Sequence, residues 1–161
     1  MTATTHTTTT NAAPAASAAP AEPDTRFERG GARLAEVDGV GGQRVVDALR
    51  DVAPDLGRYI VEFAFGDVYS RPGLSLRDRE IATVAALTAI GHAQPQLEVH
   101  VNAALNVGCT REEIVEVFMQ MALYAGFPAA LNALFAAREI FERHDREAGG
   151  AGARVEAADA G

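Results

Sequence analysis

Across residues 71–137, apolar residues recur at three- and four-residue steps and are interrupted by glycine, proline or a capping residue. That is the helical period, and it predicts four amphipathic helices joined by short turns. Ser75 is a good N-cap for a helix over 76–90, whose polar residues crowd the first turns and which Gly91 ends. Pro95 fits the first turn of a helix over 95–107, stopped by Gly108. Thr110-Arg111-Glu112-Glu113 reads as a capping box opening a helix with Ile114, Val117, Phe118 and Met121 on one face, up to Gly126. Pro128 starts the last helix, through Leu131, Leu134, Phe135 and Phe141.

Upstream, the pattern predicts a short helix over 27–37 closed by Asp38-Gly39, and a second over 43–51 carrying Val45, Val46 and Leu49. Pro54 opens a third, to about residue 69, with Leu56, Ile60, Phe63 and Val68 near one face and Val61, Ala64 and Phe65 widening the stripe. No stretch alternates with period two between turn residues. The chain is therefore expected to be all-α, a bundle of about six to seven helices. Residues 1–24 are Thr, Ala and Pro with almost no large apolar side chain, and the run from about 146 is mostly Gly, Ala and charge. Neither can bury enough surface to offset its ordering entropy, so both read as disordered tails flanking a helical domain over 25–145.

Composition narrows the function classes. Apolar residues reach 48 %, enough for a core, yet aromatics are only 6 % and Trp is absent, so close helix contacts through small side chains are expected. A net charge of −8 argues against nucleic-acid binding, which needs a basic face. No apolar run has the length of a membrane span and nothing resembles a signal peptide. One cysteine excludes an internal disulfide. The expected compartment is the cytoplasm.

Two apolar stripes each carry one ionisable residue. Glu80 shares a face with Leu76, Val84 and Leu87, and His100 shares one with Leu97, Val101, Ala104 and Leu105. Each alone has a structural explanation: an ion pair with Arg77 or Arg79 for the glutamate, a hydrogen-bonded core position for the histidine. Together, on consecutive antiparallel helices, they are candidates to be each other's partner, a carboxylate–imidazole pair. Glu98 falls on nearly the opposite side from His100, in solvent or at a subunit contact. His92 lies in the turn after Gly91, within reach of a pocket at the helix ends. No spacing suits a metal site, since one-face helix ligands fall three or four residues apart and no Cys–His cluster exists. Cys109 is close to a helix N-terminus, which lowers a thiol pKa. Arg71 is a nearby cation for an anionic substrate, or a cap for the preceding helix. Tyr124, with Gly126 and Pro128, marks a helix break.

The runs LRDREIATVAALTAIG and QLEVHVNAALNVGCTREEIVEVFMQMALYAGFPAALNALFAARE resemble the carboxymuconolactone decarboxylase family, over about half the chain. The resemblance implies an all-helical, alkyl hydroperoxidase D-like protein that assembles as a trimer or hexamer. The hydroperoxidase branch carries Cys-x-x-Cys ahead of the histidine; aligned on His100, those positions are Ala93 and Gln96. Thiol peroxidase chemistry needs two sulfurs and is not expected. The decarboxylase branch implies a small carboxylated lactone of the 4-carboxymuconolactone type as substrate. Its conjugated carbonyl takes up the electrons left by carbon dioxide, so no cofactor is implied. On that reading His100 and Glu80 are catalytic, and Arg71, Arg79, His92 and Tyr124 are candidates to bind the substrate. An isomerase or dehydratase using the same pair, and a non-catalytic oligomeric scaffold, are the alternatives.

Overall fold

Side chains close the helix ends where the sequence offers caps. The computed structural model describes residues 25–159, with side chains through residue 146. Thr25 and Glu28 form a capping box at the start of α1 (Arg26–Val37). Next come α2 (Gly39–Asp47) and α3 (Pro54–Tyr59), which continues without a break into a π-helical segment (Ile60–Tyr69). The second half of the chain is α4 (Leu76–Ile90), α5 (Gln94–Asn106), α6 (Arg111–Ala125) and α7 (Phe127–Asp159). Ser75 caps α4, and Thr110 with Glu113 forms the expected box at α6. Gly91 ends α4 in the left-handed region, at φ 76°. Among the described residues there is no strand. The protein is all-α.

Three details depart from the apolar pattern. First, α2 begins at Gly39 instead of residue 43 and ends at Asp47. Gly39 has φ +56°, a left-handed value that lets the chain turn at once from α1 into α2. Second, the π-helical segment re-aims its side chains. With hydrogen bonds closing over five residues, positions stack at steps of four and five. Ile60, Ala64, Phe65 and Tyr69 therefore share a face, whereas Phe63 and Leu56, expected on the inner stripe, are exposed. Third, α7 is continuous to Asp159, so no helix end marks the expected domain limit at 145. Alanine, frequent there, is the strongest helix former. The tail over 1–24 lies outside the described residues.

Two apolar clusters form the core. The larger joins α4 to α7 through Val84, Leu97, Val101, Ile114, Phe118 and Ile140. The smaller joins α1, the π-helical segment and α5 through Leu34, Val37, Val61, Phe65 and Ala103. Helix α5 belongs to both, so a residue on its flank sits at their junction. The backbones of α1 and the π-helical segment nearly touch. A Cβ on Gly30 would stand 2.0 Å from the Val61 carbonyl oxygen, and one on Gly66 would stand 2.6 Å from that of Arg26. No described helix is long and apolar enough to cross a membrane.

Candidate active site

Glu80 is presented by the second turn of α4, and its side chain is 0 % exposed. His100, near the middle of α5, faces it: Nδ1 donates to Glu80 Oε2 over 2.9 Å. The pairing anticipated from two separate stripes is therefore made. Tyr69, the last residue of the π-helical segment, donates its hydroxyl to Glu80 Oε1 over 2.7 Å. Both carboxylate oxygens thus have partners, which is what a fully buried carboxylate requires. The Tyr69 hydroxyl also lies 3.0 Å from Thr83 Oγ1, which donates to the Arg79 carbonyl.

Electrostatics follow from these contacts. Burial opposes a charge on His100, but the Glu80 hydrogen bond, the Glu80 charge and, more weakly, Asp38 outweigh it and raise its pKa. Because a carboxylate can only accept, Nδ1 carries hydrogen, and Nε2 is the position left for proton transfer. Burial first, and then the Glu80 charge, push the Tyr69 hydroxyl well above its ordinary range, so it stays a donor.

The network opens on one side to a cavity of about 540 Å³. Leu34, Ile60, Phe65 and Val99 supply much of its apolar wall, and Tyr69, Thr83, Gln96 and His100 its polar edge. A further acid, Asp38, lines it from the α1–α2 junction. Asp38 is 9 % exposed, and its Oδ1 is buried without a hydrogen-bond partner. Burial, reinforced by Glu80 and opposed by His100, raises its pKa to about 6. Asp38, Glu80 and His100 each bring one potential ligand atom within 4.8 Å of the others. This donor set suits a cation poorly, because both Glu80 oxygens already accept hydrogen bonds and His100 would have to leave its partner.

None of the four residues expected to bind substrate belongs to the cavity wall. Arg71 is exposed, and its carbonyl accepts from the Arg79 guanidinium over 3.0 Å. That guanidinium also lies 5.9 Å from the centre of the Tyr69 ring, so Arg79 braces the tyrosine and the turn. His92 is exposed, with Nδ1 2.9 Å from the Ile90 carbonyl. Tyr124 is 77 % exposed on α6. Glu98 is half-buried. The Cys109 thiol is buried, and burial outweighs Arg77 to raise its pKa, contrary to the lowering expected beside a helix start. Sequence reasoning missed Tyr69, Thr83 and Asp38. Tyr69 ends a helix and Asp38 precedes a glycine, both ordinary stop signals. A π-helical pitch and a three-element junction have no local signature.

Known proteins bear directly on this arrangement. The model of the carboxymuconolactone decarboxylase family matches residues 54–139, more than half of the chain. The chain belongs to this family. A 4-carboxymuconolactone decarboxylase of Acinetobacter baylyi is 38 % identical over 99 residues, which is 62 % of this chain and 73 % of that protein. A nitrosuccinic acid decarboxylase of Metarhizium robertsii is 35 % identical over 101 residues, 60 % of this chain and 69 % of that protein. An uncharacterized 15.0 kDa protein of Paracoccus denitrificans is 35 % identical over 101 residues, 62 % of this chain and 75 % of its own. The segment matched by the carboxymuconolactone decarboxylase family contains Tyr69, Glu80, Thr83 and His100. Asp38 lies before it.

Proposed function

We propose that this protein is a decarboxylase that works without a cofactor on a small carboxylated lactone of the 4-carboxymuconolactone type. The observation that carries the reading is the Glu80–His100 hydrogen bond at the wall of a cavity sized for a small molecule. In such a substrate the departing carboxylate is conjugated through an alkene to the lactone carbonyl. Breaking the carbon–carboxylate bond sends its electron pair toward that carbonyl oxygen, and the product forms when a proton is returned to carbon. His100, held protonated by Glu80, supplies that proton from Nε2. Tyr69 and Glu80 fix the ring so that the proton faces the cavity. The apolar wall keeps water from the leaving carboxylate.

Both relatives named as decarboxylases act, by name, on a carboxylic acid beside an electron-withdrawing group, a lactone in one and a nitro group in the other. That supports the class of reaction more than any one substrate. The cavity position of His100 favours catalysis over a scaffold, in which the same pair would be sealed in apolar packing. We also propose that the protein self-associates. Leu123, Tyr124, Phe127, Leu131 and Phe135 are all exposed on α6 and α7, and exposed apolar side chains of this size are what a subunit contact would cover.

The test is a spectrophotometric assay with 4-carboxymuconolactone on the wild type, His100→Gln and His100→Ala. Loss of the proton donor should lower kcat by ~10²–10⁴-fold with the helical circular dichroism unchanged. Undiminished turnover in His100→Gln would remove His100 from the mechanism, and absence of turnover in the wild type would remove the substrate class.

A further inference from the structure

Among the described residues that line the cavity, one buried side-chain polar atom lacks a hydrogen-bond partner. Glu80 is satisfied twice, His100 Nδ1 is held by Glu80, and Tyr69 donates its hydrogen bond to Glu80. Asp38 is the exception: it is nine-tenths buried, its Oδ1 has no partner, and it belongs to the cavity wall. A buried polar atom without a partner carries a desolvation cost of ~1–3 kcal/mol, and a persistent one calls for an explanation. Packing alone holds it in place. A Cβ on Gly42 would stand 2.6 Å from Asp38 Cβ and 3.0 Å from Oδ2, so α2 can approach this closely only with glycine there. His100 is assigned to carbon, Tyr69 and Thr83 donate elsewhere, and Gln96 is exposed, so Asp38 is the buried group left for the oxygen on which charge collects.

We propose that Asp38 is a further catalytic residue, a carboxylic acid whose O–H donates a hydrogen bond to the substrate oxygen that becomes negative as carbon dioxide leaves. This rests on the decarboxylase reading and assigns the part of the chemistry that reading leaves open. In the step, the carbon–carboxylate bond breaks and its electron pair passes through the alkene to the carbonyl oxygen. The Asp38 proton stays on Asp38 while its hydrogen bond strengthens. Proton transfer from His100 Nε2 to carbon then draws the electron pair back and restores the carbonyl. A donor of this kind is more effective in the transition state than in the ground state, because the charge it meets exists only there.

The surroundings suit the role. Asp38 faces Glu80 of α4, His100 of α5 and Tyr69 of the π-helical segment, and burial, opposed by His100 and reinforced by the Glu80 charge, raises its pKa to about 6. It is neutral below that pH, and an enolate-like ligand favours its protonated form further. Asp38 precedes the segment that the family model matches, so the group comes from the part of the chain that the family match leaves out.

The experiment combines pH-dependent kinetics with a binding measurement. With 4-carboxymuconolactone, Asp38→Ala should lower kcat/KM by ~10²–10³-fold, the cost of losing one such donor. Asp38→Asn, whose amide still donates, should retain more activity than the alanine variant and lose the decline that the wild type shows as pH rises through about 6. Unchanged kcat/KM in Asp38→Ala, or the same decline in Asp38→Asn, would overturn the assignment. Tetronate, a stable lactone enolate, supplies a readout independent of turnover. Calorimetry in buffers of different ionisation enthalpy should show proton uptake when it binds the wild type near neutral pH, and none with Asp38→Asn. If 4-carboxymuconolactone is not turned over yet this uptake is seen, the substrate class fails and the role of Asp38 stands. No tetronate binding to the wild type, or equal uptake in both proteins, would refute that role.

Discussion

Asp38 makes a stability prediction whose size follows from its burial. Its carboxyl rises from 3.8 to about 6 in the folded protein. Below the lower value the group is protonated in both the folded and unfolded chains, and it contributes no difference. Between the two values the folded state holds a proton that the unfolded state has released, so stability falls as pH rises. Above about 6 both are ionised and the full penalty remains. At ~1.36 kcal/mol per unit, a shift of about two units amounts to ~3 kcal/mol. Asp38→Asn keeps the shape and removes the charge. Its stability relative to the wild type should be higher by ~2–3 kcal/mol at about pH 7 than at about pH 4. Any cost of burying the amide applies equally at both pH values and drops out of the comparison. His100 changes stability over a higher window, because its pKa is raised: its contribution is whole below ~6.5 and fades as pH rises through the folded value. That contribution is smaller in Asp38→Asn, which lacks the Asp38 charge that helps to raise the His100 pKa, but Glu80, its main partner, is present in both proteins. The assay is urea unfolding of each protein at the two pH values, followed by circular dichroism. An equal stability difference at both pH values would refute the reasoning, because it would mean that the Asp38 charge carries no burial penalty.

Other expectations follow from packing. Gly30→Ala places a methyl 2.0 Å from the Val61 carbonyl, so α1 must move off the π-helical segment. Overpacking of this kind should cost ~1–3 kcal/mol in chemical denaturation and lower activity by shifting Asp38; an unchanged midpoint would contradict the close contact. Leu123→Glu with Phe127→Glu puts charge on the apolar α6–α7 face, and sedimentation velocity should show a smaller species than the wild type. A wild type that already sediments as a monomer would end the self-association reading.

The all-α class, the caps and the Glu80–His100 faces were legible in the chain because they depend on local rules. Ser75 and Thr110 stand before helices they can cap, and glycines stand after them. A carboxylate and an imidazole on two apolar stripes joined by a short turn had few places to go but toward each other. The family match extends the same local information, since it too is a property of sequence.

Tertiary structure alone decided the rest of the site. The π-helical pitch of Ile60–Tyr69 turned Tyr69 onto Glu80 and swung Phe63 outward, a change of period that composition does not encode. Close approach at Gly30 and Gly66 brought α1 against that segment, which set Asp38 at the cavity although it is far in sequence from Glu80 and His100. The expected substrate contacts Arg71, His92 and Tyr124 fell elsewhere for the complementary reason. Charge and position in the chain suggest what a side chain can do, but which wall it joins depends on how helices distant in sequence pack together.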